Sequence, residues 1–455
     1  MLKLSWKNLV NKPLNMVLSL LLFSLGVGLV SLLVNLNHQV EENFDKNLAG
    51  VDLVLGAKGS PLQMILCAMY HVDNPTGNIP IEKSRAFLNP KHPLIQQAVP
   101  LSLGDSYRGY RIVGTTYDIL QLYNASIAEG KLWANPMEAT IGAAVADAQH
   151  LHVGDKFKSS HGLVEGIEEH EHDFTVVGIL KPTGSVIDQL VLTPSESIWA
   201  SHAHEVGSSP TEDGVDSGQS SDTGEVDTVS TTTVEDHAHA EHEHTKVAPT
   251  TYDSLTIRQL AEQQRLELME KTAKDITAIL IRFRSRTNIQ ALNMGRNINE
   301  NTDLMAASPP NEIARLQANL GLGADTLKML AWVIVIVSGL SIFISLFSSL
   351  RDRRYELALM RVMGGSPGTL FQLIILEGLL LAVMGYVLGI LFSHVGLSVL
   401  VGFMKNTYRY SFSGWKFLPE EGWLFVGALV VGFVAALIPA LQARQTDISE
   451  TLANG

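Results

Sequence analysis

The chain has 455 residues with a formal net charge of −13; 17% of its residues are charged, 46% are hydrophobic and one is cysteine. This length holds more than one domain. The acidic balance argues against a nucleic-acid partner, whose phosphates call for Lys/Arg patches, and a lone Cys67 excludes an internal disulfide framework or a CxxC site. The averages hide two unlike parts, because the acids gather in Glu205–Glu243 and the apolar residues in a few long runs. Cys67 reads as a small buried hydrophobe.

Residues 1–13 carry Lys3, Lys7 and Lys12 ahead of an apolar run. That run has no A-x-A-like cleavage site and is longer than a signal-peptide core. Since about 20 apolar residues cross the hydrocarbon core, residues 14–36 are predicted to be an uncleaved first transmembrane helix. Trp6 suits the interface. The lysines place the N-terminus in the cytoplasm, and Glu41, Glu42 and Asp45 follow on the far side.

No segment between Val40 and Asp325 is apolar enough to span, so residues 37–325 are expected to form one large extracytoplasmic domain. Val51–Leu55 alternates like a strand and ends in Gly56, Gly59 and Pro61 turn chemistry. Tyr110–Val113 reads as a strand closing on Gly114, and Thr140–Ala148 as a helix of small residues. Phe174–Leu180 is a β-branched strand, with Asp188–Leu192 as its expected partner. Residues 201–250 are rich in Ser, Thr, Gly, Asp, Glu and His; with few core formers they are predicted to be a disordered insert. A helix over Leu255–Lys274, a strand over Ile276–Arg284 and a helix over Pro309–Asn319 resume the α+β pattern.

Three further spans are predicted at 327–350, 368–395 and 422–443. They are joined by a cytoplasmic connector at 351–367 and a short outer loop at 396–421, and residues 444–455 end the chain in the cytoplasm. Tyr408, Tyr410, Trp415 and Trp423 suit the outer interface, and Arg444 marks an inner end. The predicted fold class is therefore a membrane protein with four transmembrane α-helices and a large α+β extracytoplasmic domain inserted between helices 1 and 2.

The connector organises the rest. Arg351, Arg353, Arg354 and Arg361 place it in the cytoplasm. Tyr355, Leu359, Val362 and Met363 share one helical face, giving a short amphipathic helix expected to lie on the membrane surface. Gly364-Gly365 breaks it, and Ser366-Pro367 has the chemistry to start the next helix. Arg354-Tyr355-Glu356-Leu357-Ala358-Leu359-Met360-Arg361, with Gly364-Gly365 and Glu377 beyond, resembles the coupling segment of FtsX/MacB-type ABC permeases. Leu437-Ile438-Pro439-Ala440, Ala443-Arg444, Asp447-Ile448 and Leu452 resemble that family's closing signature. Leu151-His152-Val153-Gly154-Asp155, followed by Phe174–Ser185, is similar to the small α+β domain such permeases carry outside the membrane. The resemblance implies that Arg354, Glu356, Arg361, Gly364 and Gly365 dock on a cytoplasmic ATPase, and that Glu377 has a structural role.

No Walker A, H-E-x-x-H or CxxC string occurs, so no catalytic residue is assigned and ATP hydrolysis is expected in a separate subunit. Nine histidines fall in or beside the acidic region. His170 and His172, and then His237, His239, His242 and His244, alternate with Glu or Ala, a donor set suited to zinc. The alternative is a solvated low-complexity loop with no ligand; clustering of this kind favours metal binding. His394 reads as a packed or interfacial residue. Gly26, Gly28, Gly385 and Gly389 read as close-packing positions, and the G-x-x-x-G spacing of the last two suggests a dimer seam.

The expected function is that of a permease subunit passing ATP-driven motion to an extracytoplasmic domain that exports, releases or activates a partner. The expected partners are an ABC ATPase, a second permease copy (identical or similar), an extracytoplasmic adaptor or substrate protein, and membrane lipid. A lipoprotein-releasing permease, a zinc-responsive transport component and an ATPase-independent membrane anchor stay open beside it. The expected location is the inner membrane.

Overall fold

The computed structural model describes residues 5–7, 13–162, 169–201, 247–408 and 413–445. In chain order it begins with α1 (Pro13–Leu48), β1 (Leu53–Ala57), α2 (Pro61–Tyr70), β2 (Ile79–Pro80), α3 (Ile81–Leu88), β3 (Ile95–Tyr107) and β4 (Tyr110–Thr115). Next come α4 (Asp118–Leu122), β5 (Ile127–Gly130), β6 (Glu138–Ile141), α5 (Ala143–Gln149), β7 (Lys156–His161), β8 (Glu169–Leu180), β9 (Val191–Thr193) and α6 (Ser195–Ser201). After residue 247 follow α7 (Ser254–Glu270), β10 (Asp275–Ile276), β11 (Ala278–Phe283), α8 (Ile289–Asn301) and β12 (Leu304–Ala307). The chain closes with α9 (Pro309–Asp352), α10 (Arg354–Val362), α11 (Pro367–Tyr408) and α12 (Pro419–Arg444). It divides into a helical unit, Met1–Lys46 with Asn311–Gly455, and an α/β unit, Asn47–Pro310.

In the α/β unit one sheet runs β12-β1-β11-β3-β4-β9-β6-β8-β5, with β7 bridging β3 and β8. Its apolar side chains form two clusters. One gathers Leu53, Leu55, Ile279 and Ile281 under α3, α7 and α8, and the other gathers Ile112, Ile141, Phe174 and Val191 with Val145 of α5. The pairing corrects two expectations. Asp188–Leu192 does not pair with Phe174–Leu180, because β6 lies between them, parallel to β8 and antiparallel to β9. The predicted Thr140–Ala148 helix therefore starts later, at Ala143: β-branched Thr140 and Ile141 are fully buried in the sheet. Gly142 makes the change of direction, since a Cβ there would lie 2.2 Å from the Asp188 carbonyl oxygen.

Cys67 is buried on α2, as the sequence suggests, and burial pushes its thiol up to about 11, so it is inert. His71 caps α2 in the left-handed region at φ 55°. Its burial, with the Arg111 guanidinium nearby, pushes it down to about 3, so it is neutral in the fold. Arg111 is itself buried and donates from Nη2 to the Asp73 carbonyl at 2.6 Å. Asp118 and Arg265 pair at 3.1 Å beneath α7.

Among the described residues the helical unit contains four helices long and apolar enough to cross a membrane: Met16–Leu48, Thr326–Asp352, Pro367–Gly402 and Pro419–Arg444. The first continues well past the predicted 14–36 span. The Pro309–Asn319 helix and the second span are one continuous helix, α9. Along α1 the buried residues recur every fourth position, as Ser19, Phe23, Val27, Ser31, Asn35 and Gln39. That spacing keeps one face inward. Phe23 and Val27 pack with Ile342, Leu346, Leu381, Ala428 and Ala435. Ser338 donates to the Leu22 carbonyl at 2.9 Å, which lets α1 and α9 share a polar contact in an apolar core. Val17, Ile336, Val387 and Val430 stay exposed on the outside, a surface that lipid solvates.

Candidate coupling site and the family of the chain

α10 follows α9 after a break at Arg353, whose side chain caps nothing. Arg353 Nη1 instead lies 3.7 Å from Glu377 Oε1, and Nη2 donates to Ser349 at 2.5 Å. Glu377, 1% exposed on α11, thus balances a charge at the junction of α9 and α10. This geometry supports the structural role implied by the resemblance.

α10 buries a second set of apolar residues, apart from the face expected on the membrane surface. Leu357 is buried in one cluster with Leu350, Leu370, Leu373 and Ile374 and with Ala440 and Ala443 of α12, and Ala358 beside it is buried too. Tyr355, Leu359, Val362 and Met363 stay exposed. Because α10 carries apolar residues on both sides, small Ala440 and Ala443 decide which side is covered. The two sequence motifs thereby meet: the alanines of the C-terminal motif form the bed for the connector helix. Asp447, Ile448 and Leu452 lie outside the described residues.

Of the predicted coupling residues, Arg354 and Glu356 are exposed on α10, and Arg361 is half-buried in its last turn. Gly364 takes φ 101° and donates to the Arg361 carbonyl at 3.1 Å, a turn that an L side chain would strain. Gly365 donates to the Met360 carbonyl at 2.9 Å. Ser366 Oγ then accepts the Thr369 amide at 3.2 Å, and Pro367 opens α11, as the sequence suggests. Gly364–Gly368 also spells G-x-S-x-G. Here the string joins helix to helix instead of strand to helix, and its serine is engaged as a cap, so it is not a nucleophile elbow. The arrangement offers a mixed apolar and charged surface on a helix backed by a packed core.

The G-x-x-x-G pair is also reassigned. A Cβ at Gly389 would lie 2.8 Å from the Ser24 carbonyl oxygen, one at Gly28 2.9 Å from that of Gly389, and one at Gly385 2.4 Å from the Phe23 ring. The seam is filled by α1 of the same chain, which corrects the dimer reading and confirms the close-packing one. His394 is packed, as expected, and is also paired with Glu421, a contact between residues too far apart in sequence for any local pattern to announce.

Among the metal candidates His172 is exposed, and of His170 only the backbone in β8 is described. His237, His239, His242 and His244 lie outside the described residues. Among the described residues no group of three His, Cys, Asp or Glu side chains is placed to hold a metal ion.

Comparison with known families agrees with the two-part architecture. Residues 16–293 match the MacB-like periplasmic core domain, and residues 328–448 match the FtsX-like permease C-terminal model. No curated protein matches the chain. The second match contains the whole of α10, α11 and α12, and the first contains most of α1 and most of the α/β unit. A family of this kind is a transport component and is not itself catalytic. With four membrane-spanning helices and a large α/β domain between the first and second, the chain belongs to the FtsX/MacB-type permeases of ABC transporters.

Proposed function

We propose that the chain is the inner-membrane permease subunit of an ABC complex, in which α10 docks on a separate cytoplasmic ATPase and passes its motion to the α/β unit. The observation that carries this reading is the two-sided character of α10. Leu357 and Ala358 are buried in the core of the helical unit, while Tyr355, Glu356 and Leu359 are exposed on the other side and Arg354 is exposed in the first turn. A push on the exposed face is therefore transmitted to α9, α11 and α12 through packed side chains, which resist deformation. The arginines of 351–361 and Arg444 support a cytoplasmic position for this end, which would leave the α/β unit outside to export, release or activate a partner. A photo-crosslinking residue at Leu359 should capture the ATPase in cells, and one at buried Leu357 should not. Capture from neither position, or equally from both, overturns the assignment.

Zinc binding by His170, His172, His237, His239, His242 and His244 is a second proposal, supported by their donor chemistry in the sequence. Calorimetry on the full chain with and without residues 202–244 tests it. Loss of uptake on deletion supports the tract as the site, and equal uptake by both forms contradicts it.

A further inference from the structure

At the other end of the helical unit, where residues 413–418 lead into α12, the packing encloses an ionisable pair. His394 of α11 and Glu421 in the first turn of α12 are 1% and 4% exposed. The ring of His394 stacks on Trp415 with an interplanar angle of 5° and packs against Phe417 at 4.4 Å between centroids.

The two ring nitrogens face different partners. Nδ1 lies 2.8 Å from the Gly414 carbonyl oxygen. A carbonyl can only accept, so Nδ1 carries a proton. Nε2 lies 3.2 Å from Glu421 Oε1, close but without the alignment of a full hydrogen bond. The remaining partners of Glu421 are donors: Ser31 Oγ at 3.0 Å to Oε1, and the Leu418 amide at 3.4 Å to Oε2. A carboxylate so surrounded is acceptor-only. With neutral imidazole, two lone pairs would therefore oppose each other inside the protein, where unsatisfied polar groups are costly. One proton between them turns that repulsion into a charge-assisted contact.

We propose that His394 and Glu421 form a proton-binding site that latches α11 to α12 and, through Ser31, to α1. Among the described residues, the other titratable or charged groups beside it are Tyr386 and Lys416. Tyr386 of α11 donates its hydroxyl to the Glu421 carbonyl at 3.1 Å, and Lys416 is held by Glu42 of α1. From α1 itself come uncharged groups: Ser31, also 3.0 Å from Ser393, Asn35 donating to the Lys416 carbonyl at 2.8 Å, and Gln39 donating to the Ser413 carbonyl at 2.9 Å. Release of the proton leaves the Nε2 lone pair against the carboxylate and loosens this end of the unit.

The full chain in lipid nanodiscs, labelled with nitrogen-15 histidine, provides the test, with the His394 signal identified by its absence in His394→Gln. Spectra from about pH 5 to about pH 8 cover the range in which imidazoles titrate. The expected result is a His394 protonated on both nitrogens at the acid end, and a neutral ring with only Nδ1 protonated at the same pH in Glu421→Gln. A second readout is the melting temperature at the acid end, where the wild type should exceed His394→Gln because the variant lacks the contact that the proton makes with Glu421. The wild-type spectrum decides even where Glu421→Gln does not fold. A His394 that is neutral throughout the range, with a melting temperature that tracks His394→Gln, overturns the proposal.

Discussion

The two ends of the helical unit use polar residues in opposite ways. At the end bearing α10, Arg354 and Glu356 stand exposed on a helix whose far side is packed. At the other end, His394, Glu421, Ser31, Asn35 and Gln39 are turned inward and bonded to one another or to residues 413–418. Exposed charges contribute little to stability and can be shaped to suit a partner. Enclosed ones must find partners within the chain, so their identity is tied to helix packing. One end thus presents its charges to the surroundings, and the other encloses them.

The largest test of that contrast compares two glutamates. Glu421→Ala should destabilise the unit by about 3–5 kcal/mol, the cost of breaking a buried pair, whereas Glu356→Ala should stay within about 0.5 kcal/mol. Reversible unfolding in mixed detergent measures both, and equal losses would erase the distinction. The next effect concerns backbone contact beside the enclosed end. Gly389→Val should cost about 1–3 kcal/mol, because its Cβ meets the Ser24 carbonyl and Val27, which have no room to yield. A neutral result in the same assay would show that α1 and α11 can separate there.

A smaller effect sharpens the comparison with a buried histidine that has a guanidinium, not a carboxylate, nearby. His71 is depressed from 6.5 to about 3 by burial and by Arg111. Its stabilising share is therefore complete above pH 6.5 and is lost as the pH falls toward about 3. Each unit below 6.5 should raise the unfolding constant of the α/β unit by about tenfold for this one proton. His71→Asn keeps a residue suited to φ 55° and should flatten that acid limb in a pH series of denaturant melts. An unchanged limb would assign the acid sensitivity to other groups.

The spans were legible because composition alone decides which helices cross lipid, and Ser366-Pro367 was legible because capping is local chemistry. The place of β6 was not: four residues at Glu138–Ile141 precede a small-residue helix, and only their pairing with β8 and β9 reveals a strand. The buried side of α10 was missed for a related reason. Periodicity finds apolar positions, but Ala440 and Ala443, distant in sequence, choose which are covered. The coupling residues are proposed through the resemblance of their motif, since an exposed Arg or Glu leaves no trace of its partner in the hydrophobic pattern. His394 and Glu421 meet only through the turn at 413–418, which no spacing rule anticipates.

The central claim is that α10 passes work between an ATPase and the helical unit. It is met most directly by Glu356→Lys in the full chain, purified from its own cells together with the ABC ATPase proposed as its partner. The account predicts unchanged membrane insertion and thermal stability, with ATPase association or stimulation lost. Wild-type assembly and stimulation in the variant would contradict it and reduce residues 351–367 to a charged stop between two membrane helices.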